Sequence, residues 1–209
     1  MDQIENQQPR KSFFEGFAST ALLIWDFLKI VIIAVIIIVP IRYFIFQPFV
    51  VSGASMQPNY QTGQYLIIDE LSYRFAPPAR GQVVVLKYPK DPKEFFIKRI
   101  IGLPGERILI DNGKVKIFNQ DHPEGEVLSE SYLPNENLTY PHDALIVGGQ
   151  KTITLKTDEY FVLGDNRLAS SDSRDWGVLP RSNIVGKVLV RVLPVSEFNI
   201  YTKTPGYGF

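Results

Sequence analysis

Chemistry in this sequence begins at Val51-Ser52-Gly53-Ala54-Ser55-Met56-Gln57-Pro58. A serine placed after Gly-Ala and before Met-x-Pro sits where the backbone can turn sharply and present its hydroxyl. Nearby amides could then stabilise an oxyanion. Most serines in such segments belong to ordinary turns, so the nucleophile reading needs a base. Only two histidines exist, His122 and His142, each beside a proline in a polar stretch, and both read as surface-loop residues. Lysine can serve instead if burial lowers its pKa, because an apolar setting disfavours the ammonium. Lys98, within Phe95-Phe96-Ile97-Lys98-Arg99-Ile100-Ile101, would share a strand face with Phe96 and Ile100. Lys187 meets the same test with Val185 and Leu189, and the pattern does not separate the two. Lys87, Lys90 and Lys93 lie in a Pro- and charge-rich stretch and read as solvated.

A third cluster is Gly164-Asp165-Asn166-Arg167-Leu168-Ala169-Ser170-Ser171-Asp172-Ser173-Arg174-Asp175-Trp176-Gly177. Its density of short polar residues after an apolar strand predicts a loop tied by its own hydrogen bonds and ion pairs. A calcium loop is the rival, but the D-x-[DN]-x-[DN]-G spacing and terminal Glu are absent, and Arg167 and Arg174 would oppose a cation.

The elements that must position these residues read as strands. Tyr65–Ile68, Gln82–Tyr88, Glu94–Ile101, Arg107–Ile110, Lys114–Phe118, Thr152–Leu155, Tyr160–Leu163 and Ile184–Leu193 are short, rich in Val, Ile and aromatics, and bounded by Gly or Pro. Asp111-Asn112-Gly113 is a hairpin turn signal, flanked by alternating Ile108/Ile110 and Val115/Ile117. Residues 119–150 are polar and hold Pro123, Pro134 and Pro141, as an insertion or long loop would. The expected fold is an all-β catalytic domain of coiled antiparallel sheets.

Composition agrees and excludes several classes. The 209 residues carry 22 Lys+Arg against 22 Asp+Glu, so nothing favours nucleic-acid binding electrostatically. The absence of cysteine excludes disulfides, Cys-based zinc or iron–sulfur sites and a thiol nucleophile. Charge is unevenly spread. Ile30–Ile41 has none, and with Phe27, Leu28 and Tyr43–Phe46 the apolar stretch, interrupted by Lys29 and Arg42, reaches about 20 residues, enough to cross a hydrocarbon core. A buried core helix of a soluble protein should show a polar face, and Ile30–Ile41 has none. Pro40-Ile41-Arg42-Tyr43 does not resemble a signal-peptide cleavage site. The chain is therefore expected to divide into a cytoplasmic tail or interfacial helix at 1–26, a single transmembrane helix at 27–47, and an extracytoplasmic domain at 48–209. Arg10, Lys11 and Lys29 against Arg42 give the orientation a slight positive-inside bias.

Taken together and in order, the anchor, Ser-Gly-Ala-Ser-Met-Gln-Pro at 52–58, Phe-Ile-Lys-Arg-Ile-Ile-Gly-Leu-Pro-Gly-Glu at 96–106, and Gly-Asp-Asn-Arg…Ser-x-Asp-Ser-Arg-x-Trp-Gly at 164–177 resemble the bacterial type I signal peptidases. These are membrane-anchored Ser/Lys endopeptidases, and the resemblance covers about residues 25–194. It implies Ser55 as nucleophile and Lys98, rather than Lys187, as general base. It further implies that Ser170 hydrogen-bonds and orients the lysine amine, that Asp165 pairs with Arg99 and Asp172 with Arg174, and that Met56 packs beside the nucleophile. No metal or organic cofactor is implied. The partners would be membrane lipid and exported preproteins cut after small residues such as Ala-x-Ala, the enzyme acting as a monomer in the cell membrane. Three departures stand out. Gly53 occupies a position where some members carry a serine that helps bind the oxyanion. Asn59 stands where Thr is common, and Arg80-Gly81-Gln82 where Arg-Gly-Asp is common; neither of these two is expected to touch the chemistry.

Other readings are a soluble self-cleaving repressor peptidase with the same dyad, a processing peptidase for pili or another narrow substrate set, and a membrane-tethered β-domain that only binds partners or is an inactivated relative. The anchor and the 164–177 loop argue against the first, and intact Ser55 and Lys98 against inactivation.

Overall fold

The structure is a computed structural model that describes residues 13–44, 46–134, 138–142, 152–202, 204 and 207. Residues 1–12 of the expected tail and 135–137 and 143–150 of the expected insertion lie outside the described residues. The chain divides into two units, with the boundary between Tyr43 and Phe44.

The described part of the first unit is helix α1, Phe13–Phe44, whose last residue falls in the second unit. Its described side chains run from 23 to 38 and show no buried face; Phe27, Ile30, Ile33 and Ile36 are all more than half exposed. Among the described residues, no helix is long and apolar enough to cross a membrane.

The second unit is built from antiparallel strands. In chain order they are β1 Phe46–Val50, β2 Tyr65–Asp69, β3 Val83–Tyr88, β4 Asp91–Gly102, β5 Arg107–Asp111, β6 Lys114–Phe118, β7 Glu126–Val127, β8 Thr152–Thr154, β9 Glu159–Leu163, β10 Leu179–Pro180, β11 Ile184–Leu193 and β12 Asn199–Ile200. A short helix α2, Ser173–Trp176, interrupts them. An eight-stranded sheet has the order β1-β2-β11-β3-β4-β9-β10, with β12 on β11, and a four-stranded sheet has the order β7-β6-β5-β8. Phe46 and Gln47, expected within the anchor, pair with Asp69 and Ile68 as part of β1.

The strand patterns follow from which faces are covered. In β3, Val83 and Val85 enter a core with Met56, Leu66, Ile68 and Val188, while Val84 and Leu86 enter another with Ile100, Tyr160 and Val162. A strand buried on both faces reads as an unbroken apolar run. In the small sheet, by contrast, Ile108 and Ile110 of β5 and Val115 and Ile117 of β6 are buried, while Arg107 and Asp111 are exposed. Their connection places Asn112 at φ 49° and Gly113 at φ 76°. Positive φ at both central residues is what a tight hairpin turn of matching twist requires.

Candidate active site

The serine turn hangs from the end of β1. Val51 donates its N–H to the Gln64 carbonyl at 2.9 Å and accepts from Gly63 N at 2.9 Å, closing a loop. Inside the loop, Gln57 N donates to Ala54 O at 3.1 Å and Tyr60 N to Met56 O at 2.9 Å. Met56 is buried in the core beneath, so the side chain next to Ser55 anchors the turn. Gly53 has φ +94° with open space where a Cβ would stand. Backbone conformation, rather than crowding, favours glycine there.

Lys98 comes from the middle of β4, opposite Val84 of β3. It is 3 % exposed. Its Nζ lies 2.8 Å from Ser55 Oγ and 2.9 Å from the Ile97 carbonyl, and 5.1 Å from the centre of the Phe96 ring. Burial pushes its pKa down to about 8, against the opposing pull of the Asp172 and Asp165 carboxylates. Lys187 fares differently. It is a quarter exposed and sits 3.5 Å from Asp69, its register partner on β2. The two lysines that the sequence pattern left equivalent are thus separated by their surroundings.

The loop after β9 closes the site from a third side. Leu163 is the register partner of Arg99, so the strand pairing delivers Gly164 and Asp165 next to that arginine. Asp165, 0 % exposed, accepts from Arg99 Nε at 2.8 Å and Nη2 at 2.5 Å. Asn166 N donates to Ser55 O at 3.0 Å and Asn166 Nδ2 to Ala54 O at 3.2 Å, stitching the loop to the serine turn. Asp172 accepts from Arg174 Nε and Nη2, both at 2.8 Å, and from Gly164 N at 3.0 Å. Desolvation works to raise the Asp172 pKa, but the arginine bonds and charge outweigh it and hold the carboxyl low. Asp172 and Asp175 also form a reciprocal capping box that starts α2. Among the described residues, no group of three or more His, Cys, Asp or Glu is arranged to hold a metal.

One expectation needs correction. Ser170 makes no hydrogen bond to Lys98, whose amine is turned to Ser55 Oγ and the Ile97 carbonyl. The Ser170 Oγ is buried without a well-formed hydrogen bond. It lies near enough to Asp172 to help hold that carboxyl low. It also packs so tightly over Gly164 that a Cβ there would collide with it and with the Ser55 carbonyl.

Sequence reasoning missed other residues. Asn59, set aside as a minor departure, donates from Nδ2 to Asp165 Oδ2 and to the Tyr132 carbonyl, both at 2.9 Å. The Tyr132 ring lies 4.0 Å from the Arg99 guanidinium. Arg167, fully buried, pairs with Glu130 at 2.9 and 2.5 Å and hydrogen-bonds Thr139. Glu130, Tyr132 and Thr139 of the expected insertion therefore grip the loop, a role that no local motif signals. Among the histidines, His142 Nδ1 lies 2.6 Å from Asp175 Oδ1, and His122 N donates to Asn119 Oδ1. Neither lines the cleft at Ser55.

That cleft has a volume of about 280 Å³, and Phe49, Val50, Val51, Phe95 and Ile97 form its apolar walls beside Ser55 and Lys98. A larger cavity of about 420 Å³, lined by Asn59, Tyr60, Arg99, Tyr132 and Arg191 among others, contains neither reactive group. Chemistry, not size, marks the candidate site.

A hydroxyl hydrogen-bonded to a buried lysine beside an apolar cleft is an arrangement that can supply an activated nucleophile. Comparison with known proteins gives the family. The model of the family described as signal peptidase, peptidase S26, matches residues 24–193. The chain is 31 % identical over 188 residues to a probable signal peptidase I-1 of Synechocystis sp., covering 83 % of this chain and 87 % of that protein. It is 34 % identical over 187 residues to a signal peptidase I of Leptolyngbya laminosa, covering 86 % and 85 %. A crystal structure of a signal peptidase I from Enterococcus faecalis V583 aligns at 31 % identity with a TM-score of 0.44, covering 54 % of this chain and 97 % of that one. The chain belongs to the signal peptidase family, peptidase S26, and is a serine endopeptidase.

Proposed function

We propose that this chain is a signal peptidase I that removes N-terminal signal peptides from exported preproteins with Ser55 and Lys98 as its dyad. The observation that carries the reading is the 2.8 Å contact between Lys98 Nζ and Ser55 Oγ at a lysine only 3 % exposed. Neutral Lys98 takes the Ser55 proton as Oγ attacks the scissile carbonyl. Backbone amides of the serine turn receive the oxyanion; loss of one such donor typically costs about 100- to 1000-fold in rate. With Gly53 in the turn, no side-chain hydroxyl assists at that position. Protonated Lys98 then donates to the leaving amine, and water releases the acyl-enzyme. Arg99–Asp165 and Arg174–Asp172 hold the loop that frames the base. The small apolar cleft suits short side chains before the scissile bond, as in Ala-x-Ala.

The enzyme works at the cell membrane, with the part of α1 from Phe27 to Phe44 as the anchor, the tail cytoplasmic and the strand-built unit extracytoplasmic. Two observations support this. From Ile30 to Ile38 the described side chains of α1 are all apolar and, but for Ala34, exposed, and the second unit carries exposed Val50, Tyr65 and Leu193 as register neighbours across β1, β2 and β11, beside exposed Val195, Phe198 and Ile200. Exposed apolar groups gathered this way suit a lipid surface.

The test is cleavage of a preprotein in detergent by the wild type, Ser55→Ala and Lys98→Ala. The wild type is expected to cut and both variants to fail; cleavage by either variant would overturn the dyad. Protease added outside intact cells should digest 60–209 and spare the tail, and protection of the large domain would reverse the orientation.

A further inference from the structure

Ser55 and Lys98 sit on separate elements, a turn and a strand, so their 2.8 Å approach must be fixed from behind. Besides the bonds from Asn166 to the Ser55 and Ala54 carbonyls, the structure shows a closed circuit that links the two elements. From Ser55 the chain runs four residues to Asn59 through a turn pinned by Tyr60 N to Met56 O. Asn59 Nδ2 donates to Asp165 Oδ2, Asp165 accepts two bonds from Arg99, and Arg99 adjoins Lys98 in β4. The same Asn59 amide donates to the Tyr132 carbonyl, and the Tyr132 ring covers Arg99. On the backbone side, Arg191 Nη1 holds the Asn59 carbonyl at 3.0 Å. Both donors of the amide are thus used. Its orientation is unambiguous, because the flipped amide would set an oxygen against a carbonyl and a carboxylate.

We infer that Asn59 is a positioning residue for the reaction, joining the serine turn to the Asp165–Arg99 pair and to Tyr132 and so setting Ser55 against Lys98. The inference rests on the Ser55–Lys98 reading. It also gives the polar stretch at 119–150 a part in the site, since Tyr132 touches two members of the circuit. Glu130 holds Tyr132 in turn, accepting from its hydroxyl at 2.5 Å while pairing with the buried Arg167. Asn suits this position because one short side chain must donate twice in diverging directions. A threonine, with a single hydroxyl proton, can donate to only one of the two acceptors.

The experiment uses the full-length enzyme in detergent and measures kcat and KM on a preprotein, with kcat expressed per active site after exhaustive titration with a serine-acylating reagent. Asn59→Ala removes both donors without adding charge. Loosening the serine turn by about 1 Å is expected to lower kcat per site about 100-fold, with KM within about threefold of the wild type. Asn59→Thr, restoring one donor, should recover part of the rate and fall about tenfold below the wild type. A purely structural Asn59 would reduce the number of titrated sites and the melting temperature while leaving kcat per site unchanged. A kcat per site within about twofold of the wild type in Asn59→Ala would overturn the inference. If Asn59→Ala does not fold, the same result in Asn59→Thr would do so. Ser55→Ala is run alongside. Cleavage by that variant would sink the dyad, whereas an inactive Ser55→Ala beside a full-rate Asn59→Ala would sink only the role of Asn59.

Discussion

Lys98 must be neutral to act as a base, and its environment sets how often it is. An unperturbed lysine, with a pKa of about 10.4, is neutral in roughly one molecule in 2500 at pH 7. With burial lowering the value to about 8, the neutral fraction at pH 7 rises to about one in ten. The rate of preprotein cleavage should therefore climb about tenfold per pH unit up to pH 7, bend near pH 8 and level off above about pH 9. Lys98→Arg should be inactive although it keeps the charge, because guanidinium does not give up its proton in this range. The same shift has a consequence for stability. Between about pH 8 and 10.4 the unfolded chain holds a proton on Lys98 that the folded chain has lost, so stability rises with pH across that window. The penalty of the buried ammonium is fully present below the folded pKa and is relieved as pH rises towards 10.4. Relative to Lys98→Met, which cannot titrate there, the wild type should gain up to about 3 kcal/mol between pH 7 and 10.5. The assays are kcat/KM against pH and denaturant unfolding of both proteins at several pH values. A flat activity profile, a bend near pH 10.4, or cleavage by Lys98→Arg near the wild-type rate would refute the reasoning, and Lys187 would be the next lysine to test.

Asp165→Ala leaves Arg99 buried without its carboxylate, and the unfolding free energy should drop by about 3–5 kcal/mol; an unchanged midpoint with unchanged activity would remove the pair from the account. Gly164→Ala would drive a Cβ into Ser170 Oγ and the Ser55 carbonyl, and cleavage should fall about 100-fold by displacing the nucleophile; normal activity would mean that the loop yields freely. Lys187→Met breaks a partly exposed contact with Asp69, so stability should change by less than about 1 kcal/mol and the cleavage rate should be retained. A loss of activity there would reopen the choice of base.

The sheet was legible wherever one physical pattern ruled a whole strand. The 107–118 hairpin announces itself because one face is buried and the turn needs positive φ at Asn112 and Gly113. β3 is legible as an apolar run because both of its faces are covered. β1 was hidden because Phe46–Val50 continues the apolar composition of α1 and contains Pro48, so neither period nor composition marks where helix gives way to strand. β7, β10 and β12 are two residues long and too short to show a period. Helix α2 is only four residues long and owes its start to the Asp172–Asp175 box, which in sequence is indistinguishable from the rest of a polar loop.

The site divides along the same line. Residue type and local spacing were enough to nominate Ser55, and enough to nominate Lys98 and Lys187 equally, since both alternate with apolar neighbours. What parts them is what their neighbouring strands deliver. β4 pairs with β9, so the loop after β9 is brought to Arg99, next to Lys98. β11 sets Lys187 opposite Asp69. Asn59 marks where local reasoning stops. Its partners Tyr132 and Asp165 stand 73 and 106 residues away, and nothing in Pro58-Asn59-Tyr60 distinguishes a residue that closes a circuit from one that fills a turn. A Thr-to-Asn departure looks neutral when judged by type, but the structure gives the amide two acceptors that one hydroxyl could not serve together. A polar substitution near a nucleophile is therefore weighed by the number of donors its position uses, and that number is a property of the fold.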